Sequence, residues 1–181
     1  DWRRLGVGCV NLQMREGVKH KAPNARSKLQ RERENSSYKP GAVVIFGARQ
    51  NAEWYKGSGW NGAEPAFTWT GKDPAVLKFN MEPPKAPLTL MLKAHGNTLP
   101  PRLLAQTTRV YANGQQIAEW KVDEMGEYTA EIPANTIGVD GLLTLEFATE
   151  NATSPEELGV NPDSRTLGIA CYELLMTETD E

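Results

Sequence analysis

A chain of 181 residues, 39% hydrophobic and 24% charged, has the composition of one globular domain or of one domain with an extension. No apolar run approaches the roughly 18 residues a membrane helix needs, so direct membrane insertion by this segment is not expected. The net charge of −3 hides an imbalance: residues 1–39 hold ten Lys/Arg against four Asp/Glu, and residues 40–181 hold ten against nineteen. An acidic body of this kind argues against nucleic-acid binding as the main task.

The chain opens at Asp1 rather than Met, as a processed or excised fragment does. Leu5 to Leu12 (LGVGCVNL) suits a short strand or a packed arm. Residues 19–40 are polar, charged and bounded by Pro23 and Pro40, and read as a linker. The basic arm has two readings: attraction to phosphate, anionic lipid or the domain's own acidic surface, or a solvated linker. The domain division that follows is 1–41 as an N-terminal basic, partly irregular extension and 42–178 as a β-domain.

From Ala42 the character changes. AVVIF is a β-branched run and the first strand. AVLKF alternates, setting Val76 apart from Ala75, Leu77 and Phe79. PLTLMLKAHG alternates Leu88, Leu90 and Leu92 against Thr89, Met91 and Lys93. TTRVYANGQQIAEWKV predicts a hairpin turning at Asn113-Gly114, two residues that tolerate positive φ. EYTAEIP, LLTLEFAT and LGIACYELLM complete about eight strands at the spacing of an all-β fold, with no helix expected inside 42–177. Alternation implies one buried and one wet face per sheet. The fold class is therefore all-β: an antiparallel two-sheet, jelly-roll-like sandwich.

Catalytic and cofactor motifs are missing from the sequence. The two histidines, His20 and His95, lie in no HExxH, and there is no GxSxG elbow, Walker loop or GxGxxG. Cys9 and Cys171 form no CxxC pair, so no metal and no cofactor are expected; a disulfide between them and two unpaired thiols are both open. An enzymatic function would require a concave pocket with facing carboxylates, or His95 beside a nucleophile.

Several segments together resemble a known family. SGWNGAEPAFTWTGKDPAVLKF is similar to a Gly-Trp-x-x-x-Glu-x-x-x-x-Trp opening followed by an alternating strand. PPKAPLTLMLKAHGN, VYANGQQIAEW, AEIP and SPEELGVNPDSRTLGIACYEL resemble its later segments, in the same order over residues 46–177. That family is the C-terminal β-sandwich accessory domain of bacterial periplasmic phosphoglycerol transferases and surface-polysaccharide glycosyltransferases. The resemblance implies a non-catalytic accessory module at the periplasmic or cell-envelope face, with the parent protein's catalytic domain and a glycan or glucan chain as partners. A purely structural protein–protein interaction or capping domain of a larger membrane-associated transferase is the alternative.

Candidate residues follow from chemistry. Aromatic faces stack on the C–H faces of sugar rings and carboxylates accept hydroxyl hydrogen bonds, which singles out Trp54, Tyr55, Trp60, Glu64 and Trp120. Trp54 and Tyr55 are adjacent and should point to opposite sides of a strand. Phe67 and Trp69 share one face of FTWT and are expected in the core, with Trp69 as a sugar platform beside Trp60 the alternative. Glu64, Asp163 and Arg165 are the charged positions within the matched motifs and suit either an ion-pair brace or a hydroxyl-binding cluster.

Overall fold

The computed structural model describes residues 37–179; the basic arm, Cys9 and His20 lie outside them. Ten strands form two antiparallel sheets. The larger takes β2 (Trp60–Ala63), β3 (Thr68–Thr70), β10 (Ile169–Glu178), β5 (Leu88–Gly96) and β8 (Gly126–Ile132) in that order, with β1 (Val43–Ile45) also beside β10. The smaller takes β4 (Ala75–Asn80), β9 (Leu142–Thr149), β6 (Gln106–Ala112) and β7 (Gln115–Val122). The all-β, two-sheet sandwich expected from the alternation is the observed architecture.

Period-two patterning decides which side chains meet. Along β5, Leu88, Leu90, Leu92 and Ala94 are buried and Thr89, Met91, Lys93 and His95 face outward. Along β4 and β9 the same rule buries Ala75, Leu77, Phe79, Leu143, Leu145 and Phe147. The two inner faces close on one another through these residues and Phe46. At the tip of β6–β7, Asn113 (φ 47°) and Gly114 (φ 80°) make the tight turn, and the Asn113 amide also bonds Thr136, Leu142 and Thr144. One short helix interrupts the strands, α1 (Pro155–Leu158). Ser154 and Glu157 form its reciprocal capping box, Pro155 starts it and left-handed Gly159 ends it. At one turn it falls below the length that apolar periodicity reveals.

Two tryptophan-region residues offered above as sugar platforms are core instead. Tyr55 is 6% exposed and packs on Phe79 (4.7 Å) and Tyr38 (6.2 Å). It follows a 3-10 turn, Asn51–Trp54, so the chain dips inward there while Trp54 stays out. Trp120 is 7% exposed, stacks near Tyr128 and Phe147, and donates its indole N–H to the Thr129 carbonyl at 2.9 Å. It plugs the open side between β7 and β8, where the two sheets approach.

Tyr38, within the stretch read as linker, is part of this core. Its hydroxyl donates to Ala42 O (2.7 Å) and accepts from the Met176 amide (2.9 Å), completing β10 beyond the end of β1. Burial pushes its phenol up to about 12, so it remains a donor at any ordinary pH. Tyr38→Phe strands the buried Met176 N–H and is expected to cost about 1–3 kcal/mol. Urea unfolding should show a lower midpoint at unchanged slope; an unaltered midpoint would mean that the hydroxyl is dispensable.

Candidate functional site

β3 reads Thr-Trp-Thr, and its polar residues face inward. The Thr68 hydroxyl donates to Phe46 O at 2.6 Å and accepts from Lys56 Nζ at 2.8 Å. The Thr70 hydroxyl accepts from the Ile169 amide at 2.9 Å. Both threonines are buried and satisfied, so Trp69, and Phe67 with it, project from the outer face of the larger sheet. The expectation that Trp69 enters the core is thus corrected: the inward positions are occupied by hydroxyls that answer backbone groups no strand partner reaches.

Three further segments arrive beside Trp69. His95 is the last outward residue of β5, and Ala170 of β10 stands between it and Trp69 in register. Tyr172 occupies a β-bulge of β10: Cys171 pairs Ala94 and Glu173 pairs Lys93, leaving Tyr172 as the extra residue. A bulge re-aims the side chain it carries, here onto the outer face. The four rings then form one cluster. His95 lies 5.1 Å from Trp69, 5.6 Å from Tyr172 and 5.9 Å from Phe67, and Phe67 lies 5.0 Å from Tyr172. All four remain half-exposed.

The fourth segment is the β7–β8 turn, Asp123–Met125. Gly96 allows it to approach, because a Cβ there would run into the Val122 carbonyl, and the Gly96 amide donates to Asp123 O at 2.9 Å. Trp69, His95 and Tyr172 with Asn97, Thr98, Asp123, Glu124 and Met125 line an open hollow of about 580 Å³. Asp123, Glu124 and Met125 are exposed along its rim. Asn97 is partly committed: its amide donates to Thr153 O, and its backbone N–H to buried Gln106.

His95 Nδ1 is buried with no hydrogen-bond partner. Three aromatic rings surround the imidazole. Burial lowers its pKa below the ordinary imidazole value.

The remaining candidates lie elsewhere. Trp54 is 61% exposed and has no aromatic ring against it among the described residues. Trp60 is half-buried: its indole donates to Val76 O, its ring rests 5.2 Å from Phe46, and the Lys56 ammonium is 5.6 Å from its centre. Glu64, Asp163 and Arg165 come together. The guanidinium grips Asp163 through two of its nitrogens (Nε 3.1 Å, Nη2 2.7 Å) and reaches Glu64 Oε1 with the third, Nη1, at 3.2 Å. These bonds hold the Asp163 carboxyl below its usual range. Since Glu64 opens the turn that leads to Phe67, the bridge ties the aromatic hairpin to the loop before β10. Cys171 is buried, and burial pushes its thiol up. Among the described residues no group of three or more His, Cys, Asp or Glu could hold a metal, and no helix is long and apolar enough to cross a membrane.

No protein-family model and no curated protein matches the sequence. Solved structures with a similar strand arrangement include a family 35 carbohydrate binding module from an environmental isolate, 14% identical over 77% of this chain and 84% of its own (TM-score 0.40). Another is the CBM36-1 domain of a multidomain xylanase from the hindgut metagenome of Trinervitermes trinervoides, 12% identical over 77% and 98% (TM-score 0.46). A third is a ruminal GH26 endo-beta-1,4-mannanase, 10% identical over 80% and 27% (TM-score 0.46). Likeness at this level identifies neither a ligand nor a reaction.

The environment of His95 has a consequence for pH. A lowered folded value means that the unfolded chain takes up the proton first, so this residue's contribution is full above the ordinary value near 6.5. It is lost as the pH falls from there through the lowered folded value. Ring-proton titration by NMR, assigned with His95→Gln, should place the midpoint below 6.5; a midpoint at or above it would mean a solvated ring.

Proposed function

We propose that this chain is a non-catalytic glycan-binding module whose ligand surface is the hollow lined by Trp69, His95 and Tyr172, with Phe67 packed against these rings. The observation that carries this reading is the gathering of four half-exposed rings from β3, β5 and β10 on the solvent face of a sheet. A core would bury such rings, and isolated surface aromatics would not converge. Trp69 and Tyr172 offer faces for the C–H side of a pyranose, while Thr98, Asp123 and Glu124 offer hydroxyl and carboxylate partners at the rim. A preformed surface on two packed sheets loses little side-chain freedom on binding.

The segment-by-segment resemblance supports a more specific setting: an accessory module of a bacterial envelope-glycan protein, at the periplasmic or envelope face, beside a parent catalytic domain. An interaction or capping role has its own observation in Val43 and Ile45, 43% and 40% exposed on the same outer face. Against it, the aromatic cluster is concave and rimmed by charge, whereas an interface core is depleted of charge.

Titration of tryptophan fluorescence with a panel of oligosaccharides tests the proposal. Saturable change is expected, with Trp69→Ala and Tyr172→Ala each weakening binding about tenfold or more, as a lost stacking contact of about 1.5 kcal/mol does. Trp54→Ala should bind as the parent chain. Absence of saturation across the panel, with a sedimentation shift to dimer or with a parent domain, would transfer the role to the interaction reading.

A further inference from the structure

Charge around the hollow is one-sided. Asp123 and Glu124 stand on its rim, exposed, and no lysine or arginine lines it. The next row of the outer face reads Ile45, Glu173, Lys93 and Glu127 across β1, β10, β5 and β8. Lys93 is therefore flanked in register by two glutamates. Four carboxylates thus face one ammonium around the aromatic cluster. Arg165, behind the Phe67 hairpin, is already shared between Asp163 and Glu64. Tyr128 donates to the Glu124 carbonyl at 3.1 Å and so helps to hold the acidic turn in place.

An acidic rim above aromatic faces suits a cation. Carboxylates make their strongest hydrogen bonds to ammonium donors, and ring faces attract positive charge. The same field repels anions and gives a neutral hydroxyl a weaker hydrogen bond than it gives an ammonium. Resting on the module reading above, we propose that the preferred ligand is a glycan bearing free amino groups, a polymer of deacetylated amino sugars, with uronic-acid and phosphorylated glycans disfavoured. The sugar ring stacks on Trp69 or Tyr172, and its ammonium is held by Asp123 and Glu124.

The full chain is titrated calorimetrically with the hexamers of glucosamine, N-acetylglucosamine and glucose, all β-1,4-linked, and with oligogalacturonate. Glucosamine hexamer is expected to bind about tenfold more tightly than glucose hexamer at low salt, two exposed charge contacts each contributing up to about fivefold. The advantage should shrink as ionic strength rises from about 0.01 M to about 1 M. Asp123→Asn with Glu124→Gln should bring the amino hexamer down to the affinity of the neutral one, and an unchanged thermal midpoint and near-UV circular dichroism would show that the double variant is folded. Equal binding of the amino and neutral hexamers would overturn the charge inference and leave the module reading standing, as would preference for oligogalacturonate. Binding of none would overturn both.

Discussion

The outward aim of β3 rests on two buried hydroxyls. Thr68 and Thr70 face the interior because the Phe46 carbonyl and the Ile169 amide need partners there, and leaving either unmet inside the sandwich costs about 1–3 kcal/mol. Lys56 reinforces the arrangement, bonding Thr68 while its nearly buried chain lies near Trp60 and Phe46. Once the threonines point in, strand geometry sends Phe67 and Trp69 out. Rotating this strand by one residue would bury an indole where a hydroxyl is needed and take Phe67 and Trp69 off the outer face.

The rest of the site depends on departures from regular structure at strand ends. The bulge at Tyr172 adds a ring to a face whose register would otherwise carry alanine or glutamate. The missing side chain at Gly96 lets the acidic turn settle against β5. The Arg165 bridge secures the loop before β10 to the hairpin carrying Phe67. None of these contacts is strong individually, and the exposed ion pairs are weak by nature. Together they place residues separated by more than a hundred positions on one surface, supported from below by the leucine and phenylalanine core.

The proposed binding role draws on the character of this cluster. Its imidazole is desolvated and neutral-favouring, with an orphaned nitrogen among rings. Cys171, the described thiol, is inward and inert. What the hollow offers is shape, ring faces and negative charge, the features on which the proposed recognition rests.

Much of the scaffold was legible in the chain itself, because period-two alternation is enforced wherever one face of a strand is buried. Ala75–Leu77–Phe79, Leu88–Leu90–Leu92 and the Asn113-Gly114 turn declare their roles locally, and with them the all-β class. Identical logic misassigned Trp69, since hydrophobicity says that an indole prefers burial but not that two threonines have a stronger claim to the interior. It could not choose for Tyr55 and Trp120 either, whose burial depends on a 3-10 turn and on the gap between β7 and β8. The sequence by itself determined the strands, their wet and dry faces over most of the sandwich, and the acidity of the body. Only the tertiary structure decided which aromatic rings meet solvent, because that outcome depends on hydrogen-bond demands and bulges contributed by segments far apart in the chain.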